Sequence, residues 1–204
     1  MPELRPMAST AAGRHKSRRP WLYGTAAVVA SLSTVMATAG SAGADQSKPT
    51  APFAAQANAF GLSTVEAKTL QSRVDTYLAQ EGGTQIAANK IRLTDGGVLV
   101  LTLPSGHPAY GKDENGKALA SYTCDYEHFC AFSGTNFTGN VRDWYYCREN
   151  PMPFMGHGSW KNNQTTGTVA NFESGDHVSR WHDTGAYTED DDADWSWVHW
   201  VRNC

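Results

Sequence analysis

The side chains able to do chemistry crowd into the back half of this chain, and cysteine leads them. Cys124, Cys130, Cys147 and Cys204 are the only cysteines, an even number, as a disulfide framework in an oxidising compartment requires. Four cysteines permit three pairings. The favoured one joins Cys124 to Cys130 as a local staple and Cys147 to Cys204 to tie down the chain end. A zinc site on these cysteines is the competing reading, but there is no C-x-x-C pair and no histidine set at ligand spacing.

Enzymatic constellations are sparse. No H-E-x-x-H occurs, which removes the common zinc metalloprotease pattern. Gly156-His157-Gly158-Ser159-Trp160 sets a histidine near a serine, yet no G-x-S-x-G elbow presents a nucleophile, so Ser159 reads as a turn or strand residue. His177 and His182, beside Asp176 and Asp183, offer groups for acid–base work, but their spacing fixes no geometry and ordinary surface polarity is the simpler reading. No enzyme is expected. The most charged segment, Glu189-Asp190-Asp191-Asp192 with Asp194, reads as a solvated acidic loop, with cation binding as the alternative. Trp181, Trp195, Trp197 and Trp200 have flat faces that match sugar rings, although at least half are expected to fill a small β core.

The segments that must position these residues follow an export signal. A basic block at Arg14, His15, Lys16, Arg18 and Arg19 precedes an uncharged stretch from Trp21 to about Ala39. Ala42 and Ala44 then stand where a signal peptidase requires small side chains, so cleavage is expected after Ala44. Ser17-Arg18-Arg19-Pro20-Trp21-Leu22 also resembles a twin-arginine signal, which leaves the export route open. Removing residues 1–44 takes away five basic residues and one acidic one, leaving 12 Lys+Arg against 19 Asp+Glu and a net charge of −7. That balance excludes the basic surface that phosphate contacts need, so no nucleic-acid partner is expected, and no membrane contact after signal cleavage.

Residues 45–62 read as a flexible leader rich in Ala, Pro, Gln and Ser. Residues 63–104 read as a helix–hairpin module. Ser63-Thr64-Val65-Glu66 fits a capping box, and Val65, Leu70, Val74, Tyr77 and Leu78 form an apolar stripe up to Gly82-Gly83. Two strand-like runs, 85–93 and 98–103, flank the turn Thr94-Asp95-Gly96-Gly97. Residues 105–120 read as a linker, and residues 121–204 as a mostly β domain with strands at 129–132, 141–146, 168–172 and 195–202.

Within that domain, Phe132-Ser133-Gly134-Thr135-Asn136-Phe137-Thr138-Gly139 has the form aromatic, four residues, aromatic, one residue, Gly. With Cys124 and Cys130 just before it, Gly158-Ser159-Trp160-Lys161-Asn162-Asn163 later and Asn203-Cys204 at the end, residues 122–204 resemble the streptomycete metalloproteinase inhibitors, small exported βγ-crystallin-like proteins. The resemblance implies a βγ-crystallin-like Greek-key sandwich with two disulfides, preceded by the helix–hairpin module. Phe132, Phe137 and Gly139 would carry the Greek-key signature.

It further implies a secreted, monomeric inhibitor that fills an extracellular protease cleft, a metalloprotease by preference, with a rigid, disulfide-backed loop. The loop assigned from the sequence is Arg148, Glu149, Asn150, Pro151 and Met152, after the Cys147 anchor. The family's well-characterised inhibitor carries its reactive bond in a tight loop between two nearby cysteines, and no second cysteine closely follows Cys147. No cofactor is required. Calcium enters as a possible ligand, since Asn162-Asn163-Gln164-Thr165-Thr166-Gly167 matches five of six places of the βγ-crystallin calcium pattern, with Asn162, Asn163 and Thr166 as ligands. The other reading of that hexapeptide is a polar turn. The alternative function is a non-inhibitory extracellular module that binds calcium or a surface glycan.

Overall fold

The computed structural model describes residues 51–204, so the export segment lies outside the described residues. Helix α1 spans Ala51–Ala59 and α2 spans Thr64–Glu81. The Ser63 Oγ accepts from the Glu66 N–H at 3.3 Å, and the Glu66 carboxylate accepts from the Ser63 N–H at 2.8 Å, so the capping box closes as the sequence predicts. Leu70 and Val74 bury the helix, whereas Val65 stays exposed. The leader expectation is corrected from Ala51 onward: that segment is helical, and Phe60 and Leu62 close its exit into the core.

Eleven strands follow among the described residues: β1 Thr84–Ala87, β2 Lys90–Arg92, β3 Val98–Val100, β4 His128–Gly134, β5 Thr138–Trp144, β6 Glu149–Pro151, β7 His157–Asn163, β8 Asn171–Glu173, β9 Ser179–His182, β10 Thr188–Asp194 and β11 Trp200–Arg202. They form two antiparallel sheets, ordered β1-β2-β3-β5-β4-β7-β10 and β6-β11-β8-β9. The run β4–β7 gives three strands to the first sheet and lends β6 to the second. The run β8–β11 gives three strands to the second and lends β10 to the first.

The boundary expected between residues 104 and 121 does not divide the sheet. β3 pairs with β5, Leu99 opposite Arg142, and the fully buried Arg142 guanidinium reaches Glu81 of α2 at 2.6 Å and Asp95 of the β2–β3 turn at 3.1 Å. Arg73 of α2 donates to Asn140 of β5 at 3.0 Å. The expected hairpin is the meander β1–β3, because the first run turns at Ala88-Asn89. The expected linker is also structured. Tyr110 and Leu119 pair backbones and cover the outer face of the first sheet, and with Cys124, Cys130, Phe132 and Val141 they make a second apolar cluster.

The main core lies on the inner face. Phe129 sits 6.1 Å from Trp144, 5.8 Å from Trp160 and 6.0 Å from Phe172, and Trp195 stacks on Phe172 at 5.9 Å. Trp195 Nε1 donates to the Phe132 carbonyl at 2.9 Å, over Gly158, where an added Cβ would meet that nitrogen at 2.0 Å. Only a glycine admits the indole there. The strand expected over 195–202 is confined to β11, because Asp194 Oδ1 caps the Ser196 N–H at 2.9 Å and turns the chain between Trp195 and Val198.

Candidate functional site

The loop assigned from the sequence is not a free loop. Glu149–Pro151 is strand β6, paired with β11. Asn150 is buried, its side-chain amide donating to the carbonyls of Arg148 (2.9 Å) and Val201 (3.3 Å) and to Asn203 Oδ1 (3.1 Å). Met152 and Phe154 pack in the core. Arg148 and Pro151 remain exposed, but with Asn150 and Met152 buried and the backbone of Glu149–Pro151 held in β6, the segment Arg148, Glu149, Asn150, Pro151 and Met152 is not the free inhibitory loop expected, and that assignment is corrected.

The disulfides join Cys124 to Cys130 and Cys147 to Cys204, with Cα–Cα distances of 5.9 and 5.4 Å. Closing the longer loop constrains the unfolded chain by about 4 kcal/mol on the chain-entropy account, the shorter by about 2. The shorter bridge brackets an exposed turn. Cys124 is buried at one root, Phe129 and Cys130 are buried in β4 at the other, and Asp125 and Tyr126 are exposed between them, Tyr126 by 58%. Glu127 takes φ 70°, a left-handed conformation that folds the turn back, and the His128 N–H donates to the Asp125 carbonyl at 3.2 Å.

Two residues from distant parts of the sequence, Asn163 and Asp143, hold this turn. Asn163, at the end of β7, accepts from the Glu127 N–H at 2.9 Å through its carbonyl and donates from its side chain to the Cys124 carbonyl at 2.9 Å. Asp143 of β5 accepts from His128 Nδ1 and, at 2.5 Å, from the Tyr122 hydroxyl. The hydrogen bond to Asp143 raises the His128 imidazole above its ordinary value despite opposing burial. Burial, then the Asp143 charge, raises the Tyr122 phenol.

Exposed aromatics flank the turn. Tyr187 lies beside Tyr126 and raises its phenol, and Tyr145, itself exposed, lies 5.3 Å from the His128 ring and 5.2 Å from Tyr146. Arg148 covers Tyr146 at 5.7 Å. Next to the turn opens a pocket of about 350 Å³, lined by Cys124, Lys161, Asn163, Tyr187 and Glu189 among others. The exposed turn and the tyrosines beside it share the aromatic composition enriched at protein-binding surfaces, where such residues order at low cost.

The remaining sequence candidates resolve differently. Asn162 is buried, donates to the Thr168 carbonyl at 2.9 Å and to Asp183 at 2.7 Å, and uses its own Oδ1 to accept from the Gln164 N–H at 3.2 Å. With Asn163 bracing the Cys124 turn and Thr166 exposed, the hexapeptide is a structural turn, and the calcium assignment to Asn162, Asn163 and Thr166 is corrected. The acidic run is edge strand β10 rather than a loop. Its carboxylates line the open rim of the first sheet, which discourages pairing with another chain. Trp195 fills the core, while Trp181 is the most exposed of the four tail tryptophans.

Phe132, Phe137 and Gly139 do come together. The two rings meet edge to face at 5.8 Å, and Gly139 takes φ 81° where a Cβ would meet Ser133 Oγ at 2.3 Å. Ser159 of β7 locks this corner, accepting from the Phe137 N–H at 2.8 Å and donating to the Gly134 carbonyl at 2.7 Å. Among the described residues no helix is long and apolar enough to cross a membrane. No protein family, curated protein or solved structure matches this chain.

Proposed function

We propose that this protein is a secreted inhibitor of an extracellular metalloprotease and that its inhibitory element is the Cys124–Cys130 turn. The observation that carries this reading is a disulfide-bracketed turn whose tip, Asp125-Tyr126, is exposed while both roots are buried. A protease cleft recognises an extended or protruding peptide, and a segment already ordered loses little entropy on binding. If one bond in the turn is cut, the disulfide and the Asn163 contacts hold both new ends in place, so the product does not diffuse away and the bond can re-form.

The resemblance to the metalloproteinase inhibitors supports this choice, since that family's well-characterised inhibitor carries its reactive bond between two nearby cysteines. The exchange of β6 and β10 between sheets and the Ser159-locked corner at Phe137 support a βγ-crystallin-like pair of Greek keys as the scaffold. Paired cysteines and the export segment support secretion.

Titration of a thermolysin-like protease with the purified protein tests the proposal. Tight, stoichiometric loss of activity is expected, weakened at least about tenfold by Tyr126→Asp and unchanged by Met155→Ser, an exposed change elsewhere. A protease left fully active would turn the assignment over to the non-inhibitory module.

A further inference from the structure

The outer face of the second sheet holds a polar cluster that the inhibitor reading does not use. Strand alternation puts Glu149 of β6, Arg202 of β11 and Glu173 of β8 on this face, with Asn150, Val201 and Phe172 pointing inward. The β8–β9 turn brings His177 over them, where its ring stacks on Trp200 at 4.5 Å. His177 Nδ1 lies 2.6 Å from Glu149 Oε1. Arg202 takes one oxygen of each carboxylate, Nη2 to Glu149 Oε2 at 2.9 Å and Nε to Glu173 Oε1 at 3.1 Å.

One donor atom from each of Glu149, Glu173 and His177 lies within 4.8 Å of the others. Glu173 is only 3% exposed, and its second oxygen, Oε2, receives no hydrogen bond. Burying an unpartnered carboxylate oxygen is costly. It calls for something to complete it.

We propose that Glu149, Glu173 and His177 bind a zinc ion. Two carboxylates and an imidazole from three separate elements are a three-ligand zinc set, and the nitrogen donor favours zinc over calcium, which takes oxygen alone. Zinc at about 2.0–2.2 Å from each donor places donors about 3.5 Å apart, well inside the span the three residues offer. The half-exposed imidazole gives way from its 2.6 Å contact with Glu149 to that spacing. Arg202 becomes the partner that holds both carboxylates in orientation, as hydrogen-bonded neighbours do around metal ligands. The outer side remains open to water, which fills the fourth position.

A shared proton is the rival account of the buried oxygen. Burial, then the close approach of the Glu149 carboxylate, raises the Glu173 carboxyl. Burial works the same way on Glu149, but the contacts with His177, Glu173 and Arg202 outweigh it and hold that carboxyl below its ordinary value. A proton on Glu173 would complete the pair without any metal.

Zinc titration of the metal-stripped protein against a chromophoric chelator separates the two. One equivalent is expected to bind, and His177→Ala and Glu173→Gln, each removing a ligand outright, are each expected to weaken binding by at least the roughly tenfold that losing even a partner orienting a ligand costs. His157→Ala is expected to change nothing, its partner Asp192 being an exposed residue of another sheet. If Glu173→Gln does not fold, His177→Ala, on an exposed turn, carries the test alone. X-ray absorption at the zinc edge adds a direct reading, with one nitrogen, two carboxylate oxygens and one water oxygen expected in the first shell. Absence of saturable binding, or binding indifferent to His177→Ala, overturns the proposal and leaves the shared proton.

Discussion

Arg142 decides whether the front third of the described chain and the back half fold as one unit. Its side chain is 1% exposed and its charge is met by Glu81 at 2.6 Å and Asp95 at 3.1 Å, both contributed by the segment ahead of residue 104. Burial lowers the guanidinium from its ordinary value, and the two carboxylates oppose that fall. In the double variant Glu81→Gln/Asp95→Asn the cation stays buried with no counter-charge, and the expected loss is about 3–5 kcal/mol. For a chain of this size that corresponds to a fall in Tm of about 6–20 °C. Adding Arg142→Met replaces the stranded charge with an apolar chain of similar reach and is expected to recover most of the loss. Urea denaturation measures both steps as shifts in the midpoint at constant slope. A double variant that costs less than about 1 kcal/mol, or a wild-type curve with two transitions, would refute the single-unit architecture.

Two further outcomes follow from the turn and its scaffold. Because the His128 imidazole is raised in the folded state above its ordinary 6.5, its pairing with Asp143 stabilises fully below that pH, and the contribution is lost as the pH rises through the folded-state value. Tm measured against pH should show this alkaline decline, and His128→Gln should remove it. Ser159→Ala strands the Phe137 N–H and the Gly134 carbonyl at the folded corner and should cost about 1–3 kcal/mol by urea denaturation.

Local signals were legible where a few neighbouring residues suffice. The Ser63–Glu66 box, the turn at Gly96-Gly97 and the Phe137–Gly139 corner each rest on contacts or conformations within a few positions, and each stands where the spacing places it. Strand β10 was hidden because Glu189, Asp190, Asp191 and Asp192 carry no alternation, and its pairing with β7 comes from the backbone rather than from side-chain type. The 105–120 segment looked like a linker because its apolar residues are isolated, and only the outer face around Phe132 and Val141 makes sense of burying Tyr110. The Cys124–Cys130 staple was visible, but the turn's rigidity was not, since Tyr122, Asp143 and Asn163 converge from different strands and loops. Glu149, Glu173 and His177 likewise meet through sheet register, and no spacing rule links them.

Mass mapping after prolonged incubation with a thermolysin-like protease addresses the inhibitory turn most directly. The account predicts an inhibited enzyme and a chain heavier by one water, hydrolysed at one bond between Cys124 and Cys130 and remaining in one piece until reduced. Cleavage confined to other segments, or an active protease beside an untouched chain, would contradict it.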